Sequence, residues 1–165
     1  LPSYHLAQLN IARLCASIDS PQLADFVAGL ERINALADRA PGFLWRMQSE
    51  QGDAAARDRF GADVVANLSV WEGIEPLWDF VYRSAHAEVM RRRREWFQRM
   101  PEAYMVLWWM PSGHVPTVQE ADARLRRLRE HGPDAAAFTF KRPFPAPDVA
   151  AAPTMDRLDD ACRAT

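Results

Sequence analysis

Apolar and polar residues alternate over Tyr4–Arg13, with Leu6, Gln8 and Asn10 on one face and Ala7, Leu9 and Ile11 on the other, which predicts a first strand. The period then lengthens. Ser20-Pro21 supplies an N-cap with proline at the first helical position, and Leu23, Phe26, Val27, Leu30, Ile33 and Ala37 form a helical stripe that stops before Pro41-Gly42. A second strand is predicted over 43–48, the polar run QGDAAARDRFG reads as a loop, and Val64–Trp71 is a third strand. After Gly73 the pattern predicts one bent helix or two, over 75–83 and 85–99, and then a fourth strand over 103–110. Thr117-Val118-Gln119-Glu120 has capping-box spacing and opens a helix over 118–130, which His131-Gly132-Pro133 ends. Residues 137–141 read as a short extended segment.

The order βαββαβ predicts an α+β, ferredoxin-like domain over residues 1–142, with an extra C-terminal helix and a Pro/Ala-rich tail over 143–165 that includes an amphipathic turn or two over 154–163. A four-stranded sheet of this kind carries helices on one face, so the other face needs a cover, and a second copy is the expected one. The expectation is a homodimer.

With 48% hydrophobic residues and 25% charged in 165 residues, one globular domain is expected. A formal net charge of −2 argues against nucleic acid or an anionic membrane as partner, and no apolar run is long enough to span a bilayer. A soluble, cytoplasmic protein is the expectation. Cys15 and Cys162 stand far apart without close Cys or His neighbours, so neither a disulfide framework nor structural zinc is indicated. Lys141 is the single lysine and sits in Lys-Arg-Pro, which argues against Schiff-base or pyridoxal chemistry. There is no P-loop, Rossmann glycine set, HExxH, Ser-His-Asp order or Cys-x-x-Cys pair.

The blocks YHLAQLNIAR, LSVWEGIEPLWDFVYRSAHAEVMRRRREWF, LWWMPSGHVPTVQEADARLRRLREHGP and AFTFKRPFPAPD resemble the DUF3291 family, within the dimeric α/β-barrel superfamily that also holds the antibiotic-biosynthesis monooxygenases. A looser superfamily signature, a strand-ending tryptophan, an acidic residue and then Ser-x-x-His, is similar to Trp71-Glu72 and the segment ending at His86. The resemblance implies a homodimer whose two sheets close into a barrel, with a small-molecule pocket in each subunit. It also implies a choice between cofactor-free oxygenases, cyclases and isomerases on one side and haem enzymes on the other. The expected function is a tailoring enzyme of secondary metabolism, of isomerase, cyclase, lyase or monooxygenase type, acting on a hydrophobic substrate without an organic cofactor. The alternatives are a haem-dependent enzyme and a non-catalytic ligand-binding or interaction module.

His86 leads the catalytic candidates, because helical spacing places Tyr82, Met90 and Arg93 beside it, joining an imidazole, a phenol and a permanent cation on one edge. It is expected to act as general base with Arg93 holding charge, or to ligate haem iron; the competing reading has it satisfy a carbonyl at a helix bend. His114 follows a strand in a Gly/Pro loop, where active residues often sit, and its competing role is to cap the strand or the next helix. Arg91, Arg92, Arg93 and Arg94 point around most of a helix circumference and read as a solvated face paired with Glu88, Glu95 and Glu102. Trp108 and Trp109 must lie on opposite sheet faces. Gln8, Asn10, Asn67 and Ser69 are polar residues on central strands, which either face a wet cavity or hydrogen-bond across the dimer barrel; Gln8, Asn10 and Asn67 are expected to orient the substrate, with Trp71 and Trp109 lining an apolar pocket.

Overall fold

The computed structural model describes residues 2–150 and comprises four strands and six helices. Strands β1 (Tyr4–Arg13), β2 (Phe43–Arg46), β3 (Val64–Trp71) and β4 (Met105–Pro111) form one sheet in the order β2-β3-β1-β4, every neighbour antiparallel. This is the ferredoxin-like topology of an α+β domain. Helices α1 (Ala24–Asp38), α2 (Glu50–Phe60), α3 (Ile74–Arg83), α4 (His86–Trp96), α5 (Val118–His131) and the short α6 (Pro147–Ala150) complete it. The turns expected over 154–163, and Cys162, lie outside the described residues.

Alternation along the strands divides the sheet into two faces. Ala7, Leu9, Ile11, Val64, Leu68, Val70, Val106, Trp108 and Met110 point to one face and are all buried there with Ala121, Leu125 and Leu128 of α5. Ala56 of α2 is buried too, and α2 packs on β3 and on α5. The opposite face carries α1, α3 and α4.

Helices therefore lie on both sides of the sheet, which corrects the expectation of an uncovered face awaiting a second copy. The unforeseen cover is α2, which replaces the predicted polar loop. Ser49 caps it by accepting from the Gly52 amide at 3.0 Å, its first turn is acidic (Glu50, Asp53) and its last basic (Arg57, Arg59), so the helix dipole is complemented at both ends. With few apolar residues besides Ala56 and Phe60, α2 has no stripe to announce it. Arg59 reaches Asp122 of α5 at 3.3 Å, tying the two covering helices together.

The predicted strands β1 and β3 match residue for residue; β2 is shorter by two residues, and β4 runs 105–111. The long helical stretch is two helices, broken at Ser84, where the backbone is extended (φ −99°, ψ −178°). Thr117 caps α5 by accepting from the Glu120 amide at 3.1 Å. Ser20 does not cap: its Oγ is buried without a partner, and the helix enters through a 3-10 turn, Pro21–Leu23. Gly42 has a left-handed backbone (φ +78°) and sits against Pro76, where an added Cβ would lie 2.5 Å from the proline ring.

Past α5 the chain returns along β4, where Leu107 and Phe138 exchange both backbone hydrogen bonds. Phe138, Phe140 and Phe144 then pack with Leu6, Leu107 and Trp109 on the α3 side. Packing thus continues beyond residue 142, where the tail was expected to begin. No helix among the described residues is long and apolar enough to cross a membrane.

Candidate functional site

Four rows of side chains cross the sheet on the face beneath α1, α3 and α4, and cross-strand register sets their composition. Trp109, Leu6, Trp71 and Phe43 make an apolar row; next comes Leu107, Gln8, Ser69 and Arg46, then Met105, Asn10 and Asn67, and then Ala12 and Val65. The first row belongs to an apolar cluster with Leu77 and Phe138, and Val65 to another with Leu14, Leu23, Phe26 and Trp96. Between these clusters lies a polar belt two rows wide, the rows roughly 7 Å apart along the strands.

Exposure along the belt is graded. Strand β2 ends opposite Ser69, so Asn67 lies beyond it and is exposed; its register partner Asn10 is half-buried, and Gln8 is 7% exposed. Along this belt the side chains therefore pass from open at Asn67 to enclosed at Gln8. Helix α1 is itself sparsely buried: only Phe26 and Ala37 are buried, Leu30 and Ile33 are half-buried and Val27 is exposed. Arg46 anchors the end of α1, its Nε donating to Asp38 Oδ1 at 2.7 Å and its Nη2 to Oδ2 at 3.2 Å. That guanidinium holds the Asp38 carboxyl below the ordinary carboxylate range.

His86 opens α4, and its ring packs on Phe80 at 5.1 Å between centroids; Phe80 in turn stacks on Trp71 at 5.2 Å. Ser84 makes the break that puts it there. Its hydroxyl donates to the Phe80 carbonyl, closing α3, and accepts from the His86 amide at 3.1 Å, opening α4. The ring Nδ1 lies 3.3 Å from the Val81 carbonyl oxygen. A carbonyl accepts only, so Nδ1 carries the proton and Nε2 keeps its lone pair. Burial lowers the His86 pKa, outweighing the opposing effect of the Val81 bond, and the ring is held neutral near pH 7. A neutral imidazole of fixed tautomer can accept a proton at Nε2.

The other expected catalytic residues are not gathered around it. Tyr82 would share the edge of His86 and Arg93 only in one continuous helix, and the break at Ser84 leaves it at the outer surface, its ring tilted against Trp78 at 4.2 Å and 44% exposed, while Arg93 stays two turns along α4 from His86. Arg93 is committed to Tyr104, donating to its hydroxyl at 2.7 Å with the guanidinium 4.6 Å above its ring. His114 lies on the other side of the sheet: its Nε2 is 2.7 Å from Glu120 Oε2, while Glu120 Oε1 accepts from the Trp108 indole at 3.1 Å. Glu120 therefore serves His114 and Trp108 instead of returning to the cap amide, and His114 takes its competing role, fastening the β4 turn to α5.

Of the expected lining residues, Gln8, Asn10 and Asn67 share the sheet face beneath α1, α3 and α4. Trp71 is only 1% exposed, clasped between Phe43 and Phe80, and donates to Ser69 Oγ at 2.9 Å, so it supports the floor from within the core. Trp109 is half-buried and donates to the Phe144 carbonyl at 2.8 Å, engaged with the C-terminal strap. Trp108 occupies the opposite face, buried under α5, where a dimer seam was expected. Arg46 and Tyr104 enter the site's structure with no periodic signal; only strand register and the return of the chain from α4 bring them there, whereas Ser69 stands out as a polar residue on a central strand. The arginine run behaves largely as expected, Arg91 pairing with Glu88 and Arg92 with Glu95 and Asp25, but Glu102 pairs with Arg129. Two surface depressions, of about 460 Å³ around Arg59, Asp122 and Arg126 and about 350 Å³ around Cys15 and Asp63, lie away from this chemistry. Among the described residues no group of three His, Cys, Asp or Glu side chains is arranged to hold a metal ion.

This face, from Leu6 of β1 through Phe144, falls within residues 5–154, which match a domain of unknown function, DUF3291. The chain belongs to the DUF3291 family. Among solved structures it is similar to the protein NE2512 of unknown function from Nitrosomonas europaea, at 11% identity and a TM-score of 0.44, over 69% of this chain and 94% of that one. A mutant of SnoaB, a cofactor-independent oxygenase from Streptomyces nogalater, is similar at 11% identity and a TM-score of 0.42, over 69% of this chain and 97% of that one. No curated protein matches the chain.

Proposed function

We propose that this DUF3291 protein binds a hydrophobic small molecule in the cleft between the sheet and helices α1, α3 and α4, and tailors it by proton transfer at His86 without an organic cofactor. The observation that carries this reading is the graded polar belt of Asn67, Asn10 and Gln8 on a sheet face that its helices would otherwise dry. Polar side chains on central strands lose hydration unless something bonds to them, and a ligand that reaches them would supply that bond. His86, neutral and with Nε2 free, supplies a base suited to isomerisation, cyclisation, elimination or the deprotonation that precedes oxygenation. Place in secondary metabolism is part of the same proposal.

A small-molecule extract incubated with the purified protein tests it by untargeted mass spectrometry. A compound consumed by the wild type and untouched by His86→Ala is the expected outcome. Consumption unchanged in the variant overturns the role of His86, and enrichment of a compound without its conversion favours the non-catalytic binding module.

Haem fits these residues poorly. His114 is an exposed turn residue bound to Glu120, and Arg91, Arg92 and Arg93 are engaged with Glu88, with Glu95 and Asp25, and with Tyr104, which leaves none of them offered to a propionate. A Soret band that saturates at one haem per chain and is lost in His86→Ala would reverse that ranking.

A further inference from the structure

The hydrogen-bond network at the inner end of the cleft has a direction that the chemistry of its members enforces. Trp71 Nε1 lies 2.9 Å from Ser69 Oγ, and an indole nitrogen only donates, so the serine oxygen accepts there. The serine's own proton goes to Gln8 Oε1 at 2.8 Å. Rotating the Gln8 amide by 180° would set its NH2 against the serine oxygen and leave the serine proton without this acceptor, so Oε1 faces Ser69 and Nε2 faces away. Both N–H groups of Nε2 are without a partner among the described residues. Ser20 Oγ is the sole buried side-chain nitrogen or oxygen lacking a hydrogen bond there, so the Gln8 amide nitrogen is not sealed off, although the residue is only 7% exposed.

We propose that the side-chain amide of Gln8 is a built hydrogen-bond donor at the inner end of the cleft, and that the ligand is an apolar molecule bearing a proton-free acceptor oxygen, as in a ketone, quinone, enolate or phenolate. This rests on the cleft being the binding site and adds the class of molecule that fits it. Trp71 and Ser69 hold the amide oriented before the ligand arrives, which removes the cost of ordering it on binding. Leu6 and Leu107 flank Gln8 along β1 and across to β4, and Val65 borders the belt at its far side, so the skeleton around that oxygen meets apolar surface. An oxygen held at Gln8 is stabilised further if it gains negative charge, because a donor already in place needs no reorganisation.

A matched pair of probes tests the assignment: 2-acetylnaphthalene carries the acceptor, and 2-ethylnaphthalene has nearly the same shape without it. Binding to the wild-type protein is measured by calorimetry and by NMR of the 13C,15N-labelled side-chain amides, with the Gln8 NH2 signal assigned in the wild type by through-bond correlation to its own side-chain carbons. The ketone is expected to bind about five- to tenfold more tightly than the hydrocarbon and to move the Gln8 amide protons downfield, the gain typical of one hydrogen bond. Gln8→Met should equalise the two affinities while leaving that of 2-ethylnaphthalene unchanged. Equal affinities in the wild type, with the Gln8 signal unmoved, overturn the donor assignment while the cleft stands. Failure of both probes to bind sinks the cleft and the anchor together. The NMR readout on wild-type protein decides the matter even where a variant does not fold.

Discussion

His86 carries the most testable chemistry of any single residue, because its surroundings resist its protonation. Unfolded, the side chain titrates near the ordinary histidine value of about 6.5. Folded, burial lowers that value. Below pH 6.5 the unfolded chain therefore takes up a proton that the folded chain resists, so stability is level above this pH and falls as pH drops through the lowered value. Urea titrations between pH 5 and 8 should show that loss in the wild type and less of it in His86→Gln. The acid limb of any His86-dependent activity should likewise lie below 6.5. The other titratable candidates behave as outer residues. His114→Ala breaks a half-exposed pair, so it should cost no more than about 1 kcal/mol in thermal unfolding and leave binding of 2-acetylnaphthalene within a factor of about two. Tyr82→Phe should do the same, since the ring stacks on Trp78 outside the cleft.

At the scale of elements, local chemistry and packing contribute separately. Two helices start with a side chain that satisfies an amide of the first turn, Ser49 for α2 and Thr117 for α5. Replacing either by alanine should cost about 1 kcal/mol in urea denaturation. Ser49→Ala also tests whether α2 is an independent cover, since its apolar contribution is small and the cap is a large share of what holds it. Gly42→Ala should cost more than either: the left-handed backbone disfavours any Cβ, and this one would meet Pro76 at the start of α3. Thr117 was legible because a capping box precedes a clear stripe. The start of α2 was not, because Ser49 precedes residues that mostly face water and periodicity has nothing to report.

For the whole molecule, the expected homodimer turns on the sheet face that α2 and α5 cover. A dimer closing sheet against sheet would have to displace α5, whose Leu125 and Ala121 are fully buried against the chain's own strands. Leu125→Asp discriminates between the two architectures. It should abolish cooperative unfolding of the chain, because it places an unpaired carboxylate in the core. A folded, soluble monomer from the same substitution, seen by sedimentation and circular dichroism, would instead mark that face as a dimer seam.

Local pattern alone determined the order of strands and of most helices, the alternation that separates Trp108 from Trp109, the α5 cap, and the presence of polar residues on strands whose neighbours are core. These depend on period, spacing and side-chain chemistry, all of which are properties of adjacent positions. Tertiary structure decided which polar residues meet. Gln8 faces Ser69, and Asn10 faces Asn67, through register between segments some sixty residues apart, a relation no local pattern contains. It also decided that Tyr82 and His86 part company. One hydroxyl, Ser84 Oγ, bonds the carbonyl behind it and the amide ahead, and turns a continuous helical pattern into two helices with different faces. The inward course of the cleft has the same origin: β2 ends two residues early, which opens Asn67 to water and leaves Gln8 enclosed.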